Sequence, residues 1–147
     1  MKEQNKNQTP QGYSTVCPYL MVKSVEAQID FLVNVFQAEV KEEMKAKEGE
    51  LRHGEVRIGD SVIMMGKSRE EYPSRKSMNY IFVQDVDTAY NKALELGAKS
   101  VMEPTDQYYG HRDAGIEDPQ GNEWWIGQQI ENLTAEELQQ RMDEQNT

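Results

Sequence analysis

With Cys17 as its single cysteine, the chain of 147 residues cannot build an internal disulfide framework, and a reducing, cytoplasmic setting is expected. No apolar run approaches the length of a membrane span or the core of a secretory leader, so neither is expected. Positive charge is scarce: 16 Lys and Arg stand against 26 Asp and Glu, a net charge of −10. A surface with that balance repels phosphate backbones and anionic lipid, which removes nucleic acid and membranes from the expected partners. There is no phosphate-cradling glycine loop, no Ser-His-Asp order and no Cys-x-x-Cys pair. A glycine-rich methyl-donor site of the Rossmann type is missing too, which leaves a methyltransferase reading without a physical basis.

What the chain does contain is an internal repeat. Residues 22–29 (VKSVEAQI) return as residues 83–90 (VQDVDTAY), 61 residues later. In each copy a strand-like run meets a capping residue, Ser24 or Asp85, and then an amphipathic helix. The first helix is expected over residues 25–36, with Val25, Ile29, Leu32, Val33 and Phe36 on one face. The second presents Val86, Tyr90, Ala93 and Leu94 and stops at Gly97. Strands are expected at 13–22, 39–47, 51–58 and 61–65, then at 78–83, 100–102, 110–117 and 123–128. Gly59-Asp60 and the 118–122 turn supply the hairpins.

Two copies of one unit predict an α+β fold of two pseudo-symmetric β-α-β-β-β modules, forming a curved mixed sheet around a cavity. The modules span 13–66 and 78–131, joined by a charged loop. Residues 1–12 read as a disordered tail, and residues 132–147 as a C-terminal helix started by the Thr134/Glu137 capping box.

Paired modules ending in Asp118-Pro119-x-Gly121-Asn122 resemble the vicinal oxygen chelate superfamily, which includes glyoxalase I, extradiol dioxygenases, and fosfomycin- and bleomycin-resistance proteins. The segments PYLMV at 18–22, HGEVRIGDS at 53–61 and YGHR at 109–112 are similar to a bacterial branch labelled demethylubiquinone methyltransferase-like or glyoxalase-like. The resemblance covers residues 13–131. It implies a cavity lined by strands, and a divalent metal held there by His, Gln or Glu at symmetric strand positions. Those positions fall at Cys17 and Met78 on the first strands and at Met64 and Trp125 on the last. Thioethers are too soft for such ions and the indole has no lone pair to donate, so the metal site reads as lost and no cofactor is expected. The resemblance also implies a homodimer.

Alternation along 51–58 puts His53, Glu55 and Arg57 on one strand face. They read either as a solvated or dimer-seam network, or as a site in which His53 is a base or anchor and Glu55 orients it, with atypical metal ligation a further possibility. Trp125 is expected on the cavity and Trp124 in the core. Met64, Met78 and Tyr80 or Tyr19 would add a lining suited to a flat or apolar molecule, unless these side chains simply fill the space. Tyr109 and Arg112 stand nearby. Arg112 would hold an anionic group or, by preference, pair with Asp113, Asp118 or Glu117, and His111 reads as a surface residue. Lys67, Arg69, Arg75 and Lys76 form a basic island, either a solvated linker or a flap. The expected function is metal-independent binding of a small apolar or aromatic molecule. The alternative is a glyoxalase- or lyase-type enzyme using His53 and Glu55 as an acid–base pair.

Overall fold

A computed structural model describes residues 8–145. The chain divides into two compact units that part between Lys76 and Ser77. The first unit is built from β1 (Tyr19–Val22), α1 (Val25–Phe36), β2 (Glu39–Lys45), β3 (Leu51–Ile58) and β4 (Ser61–Lys67). The second repeats the order with β5 (Met78–Phe82), α2 (Val86–Glu95), β6 (Lys99–Asp106), β7 (His111–Glu117) and β8 (Glu123–Gln129), and ends in α3 (Ala135–Gln145). The sheets run β1-β4-β3-β2 and β5-β8-β7-β6. In each, the first strand lies parallel to the last and the other pairs are antiparallel. This is the α+β fold of two β-α-β-β-β modules that the repeat predicts, each module forming a four-stranded mixed sheet.

The helices form where the caps require. Ser24 accepts a hydrogen bond from the Ala27 amide at 3.1 Å, and Asp85 accepts from Thr88 at 3.1 Å. Gln37 closes α1 in the left-handed region (φ 54°), letting the Ala38 amide reach the Leu32 carbonyl. The buried stripe of α1 includes Val25, Ile29, Leu32 and Phe36, with Phe31 and Val35 joining it while Val33 stays half-buried. Leu20, Val22, Val56, Ile63 and Met65 complete the first core; Ala114, Ile116, Trp124 and Ile126 do so in the second.

Two strands depart from expectation. The first strand begins only at Tyr19, because residues 13–18 leave the ladder and Tyr13 turns its hydroxyl onto Glu55. The strand expected over 100–102 extends to Asp106, through Pro104. Proline is tolerated there because β6 is an edge strand whose register shifts between Met102 and Thr105. Of the expected N-terminal tail, residues 1–7 lie outside the described residues. Residues 11–12 form a turn in which the Gly12 carbonyl accepts from Arg57 at 2.9 Å. The capping box forms reciprocally, Glu137 N–H to Thr134 Oγ1 at 3.1 Å and Thr134 N–H to Glu137 Oε1 at 3.2 Å.

Candidate functional site

Each sheet has one face on its helix and one turned away. In the first unit the ladder pairs Glu55 with Met64 and His53 with Gly66, while Tyr19 pairs with Met64 across the parallel join. Side chains paired this way share a face, so Tyr19, His53, Glu55 and Met64 all stand opposite α1. His53 and Glu55 meet at 2.8 Å, Nε2 to Oε2. His53 Nδ1 lies 3.1 Å from the Tyr19 hydroxyl, and Tyr13 donates to the other oxygen of Glu55. Burial raises the Glu55 pKa, but the hydrogen bonds from His53 and Tyr13 outweigh it and leave the carboxyl below its ordinary value. An ionised Glu55 makes Nε2 a donor, so Nδ1 accepts from Tyr19 when the ring is neutral. Both ring nitrogens are engaged, and Tyr19, half exposed at 51%, is the outer end of the chain.

The second unit carries a related constellation shifted by two residues, with Asp113 facing Gly127 where His53 faces Gly66. Tyr80, 61 residues after Tyr19, lies 3.1 Å from His111 Nδ1 and donates to Asp113 Oδ1 at 2.5 Å. Tyr109 donates to the other oxygen of Asp113, which is 2% exposed. Burial, then the hydrogen bond to Asp113, pushes both phenols well above their ordinary range, so both keep their protons. The two tyrosines need the same concession from the last strand. Tyr19 lies over Gly66 and Tyr80 over Gly127, where any Cβ would collide with the phenol ring. His111, expected at the surface, keeps part of its ring accessible. It is half-buried, with the Tyr80, Phe82 and Tyr109 rings around it. The repeated His-x-acid spacing at His53/Glu55 and His111/Asp113 is the sequence signal that marks it.

Of the positions where a metal ligand is implied, Met64 and Trp125 sit mid-strand on the faces away from the helices, and Met78 opens β5 with 73% exposure. Cys17 donates to the Ser14 carbonyl at 3.3 Å and, with Tyr13, Glu55 and Met64, lines a cavity of about 600 Å³. Trp125 lies flat against Gly115 and donates to Glu123 at 2.7 Å. Thioethers, an indole and one thiol do not fit a divalent metal. Among the described residues no cluster of three or more His, Cys, Asp and Glu is placed to hold one.

Arg112 points to the other face of β7. Its partners are Asp87 (2.9 Å, two bonds) and Asp106 (2.9 Å), and not Asp113, Asp118 or Glu117. Alternation places Arg112 on the helix side, within reach of the first turn of α2, so its charge is already matched there.

A second cavity of about 580 Å³ opens beside Tyr19, lined by Met21, Gly66, Tyr72, Arg52, Lys67 and Arg69 among others. Arg52 is the extra residue of a β-bulge: Met44 pairs with His53 and Lys45 with Leu51, leaving Arg52 unmatched on β3. A bulge re-aims its side chain, and here it delivers a cation to a cavity wall. Lys67 and Arg69 come from the expected basic island; Lys67 also reaches Glu50 at 3.4 Å, and Arg69 stacks on Tyr72.

Comparison with known proteins agrees with this architecture. An uncharacterized protein of Mycobacterium bovis is 30% identical over 139 residues, covering 87% of this chain and 91% of that protein. One from Mycobacterium tuberculosis strain H37Rv is 30% identical over the same length, covering 82% of its own chain. Among solved structures, TioX from Micromonospora sp. ML1 matches with a TM-score of 0.65 at 23% identity, over 78% of this chain and 98% of that one. A glyoxalase/bleomycin resistance protein/dioxygenase family enzyme from Burkholderia phytofirmans PsJN matches with a TM-score of 0.64 at 20% identity, over 76% and 95%. The family model described as Glyoxalase/Bleomycin resistance protein/Dioxygenase superfamily matches residues 14–126, nearly all of both modules. The chain belongs to that superfamily.

Proposed function

We propose that the protein binds a small aromatic or apolar molecule without the divalent metal that its superfamily commonly uses. The observation that carries this reading is the identity of the four implied ligand positions, Cys17, Met64, Met78 and Trp125, where neither carboxylate nor imidazole occurs. The cavity beside Tyr19 supports it, since about 580 Å³ with aromatic and thioether walls suits a compact planar ligand. Arg52 at that cavity favours a ligand carrying a negative group, while Lys67 and Arg69 are paired with Glu50 and Glu71.

The superfamily resemblance supports a homodimer, and light scattering is expected to give a mass twice 17.0 kDa. The lone Cys17 supports a cytoplasmic setting. The enzymatic alternative rests on the 2.8 Å contact of His53 with Glu55, which would tune Tyr19 as the group that meets a substrate.

A fluorescent naphthalene sulfonate, planar and anionic, is a direct probe. Titrated into protein treated with a chelator, it is expected to bind, and Arg52→Ala is expected to weaken binding about tenfold, close to 1.4 kcal/mol. Added Mg, Mn, Ni, Zn or Fe(II) should leave the affinity unchanged. No binding, or binding only after a metal is restored, contradicts the proposal.

A further inference from the structure

The chain's two histidines are wired differently and stand at different ladder places, since Asp113, not His111, faces Gly127 where His53 faces the equivalent Gly66. His53 uses both ring nitrogens, Nδ1 on Tyr19 and Nε2 on Glu55. His111 has one hydrogen-bond partner among the described residues, the Tyr80 hydroxyl at Nδ1. Tyr80 has a single proton, and the Asp113 carboxylate, 2.5 Å away, receives it. Asp113 offers no proton in return, because its second oxygen is filled by Tyr109. The Tyr80 oxygen is thus left as an acceptor toward Nδ1, and His111 must donate there. A neutral imidazole with its proton on Nδ1 carries a lone pair on Nε2. Among the described residues no shielded side-chain N or O atom lacks a partner. Nε2 lacks one, so it reaches solvent. The ring plane is fixed by edge contacts with Phe82 and Tyr109, each 5.3 Å between centroids, and Phe82 itself is 63% exposed.

We infer that the second unit carries a binding site of its own, in which His111 Nε2 accepts a hydrogen bond from an acidic O–H, such as a phenol, on an aromatic ligand that packs on Phe82. Asp113, Tyr80 and His111 form a relay in which the buried carboxylate fixes the phenol and the phenol fixes the tautomer. Tyr80 and Asp113 are positioning residues. This site is independent of the cavity beside Tyr19, and the two readings stand or fall separately.

With only two histidines, long-range nitrogen–proton NMR at a pH where both rings are neutral assigns each tautomer directly. The expected spectrum shows His53 protonated on Nε2 and His111 on Nδ1, the less common form in water. Titration with 4-cyanophenol is then expected to shift His111 Nε2, whereas its O-methyl ether, which cannot donate, binds at least tenfold more weakly. In Tyr80→Phe, His111 is expected to revert to the Nε2-protonated form and to lose the preference for the phenol. His111 protonated on Nε2 in the unaltered protein, equal affinity for phenol and ether, or no phenol binding at millimolar concentration each overturns the inference. None of these results touches sulfonate binding at Arg52, so the two sites are judged apart.

Discussion

Trp124→Ala is expected to destabilise the protein by about 3–5 kcal/mol, and Trp125→Ala by much less. The residues are neighbours on β8 and face opposite ways, as alternation requires. Trp124 is 2% exposed, opposite Ile116 in the ladder, and its indole N–H donates to Asp118 at 2.9 Å. Truncating it leaves a cavity and strands part of a buried carboxylate. Trp125 is half-buried on the other face, resting on Gly115, where loss of the ring exposes backbone without opening the core. Urea unfolding of the two variants in one assay gives the comparison. If Trp125→Ala is the more destabilising, that face is packed interior and not a binding surface.

Asp118→Ala is expected to cost about 3 kcal/mol or more, although the residue sits in a turn where substitutions are usually mild. Asp118 is 3% exposed, with Oδ1 accepting from the Gln120 and Asn122 amides at 2.9 and 3.0 Å while Oδ2 accepts from Trp124. Asn122, held by that turn, in turn anchors the Ser77 amide and hydroxyl at 3.0 and 2.7 Å. Removing the carboxylate therefore strands a buried indole N–H and two turn amides together. Because one of those bonds belongs to Trp124, the two sites must couple. In a Trp124→Phe background the cost of Asp118→Ala is expected to fall by about 1–2 kcal/mol. Strict additivity of the two changes would show that the indole bond contributes nothing.

The fold was legible because its signals are local and doubled. Ser24 and Asp85 cap helices at the same point of each copy, and the apolar positions of 25–36 recur at helical spacing. The site was only partly legible. His53 and Glu55 came through because alternation along one strand puts residues two apart on the same face. Tyr13 did not, since it meets Glu55 from outside the ladder, 42 residues away, where periodicity says nothing. Arg112 was assigned neighbours in sequence, while its partners lie across the helix face at Asp87 and on β6 at Asp106. Arg52 escaped notice for a related reason: its direction is set by a bulge, and a bulge breaks the alternation by which strand faces are read. His111 is the instructive case: the repeat puts Asp113, not His111, in the place of His53, so the offset that identified the fold points past it.

Metal titration after chelation tests the account most directly. Protein stripped with a strong chelator and then supplied with Mg, Mn, Ni, Zn or Fe(II) is expected to keep its melting temperature and to give no heat of specific binding by calorimetry. A specific ion at a hundred times its dissociation constant would add about 2.7 kcal/mol of stability, well within detection. An unchanged melting temperature with all five ions is the predicted result. A rise of several degrees with one of them, abolished by His53→Ala, would place a metal on the His53–Glu55 pair and contradict metal-independent binding.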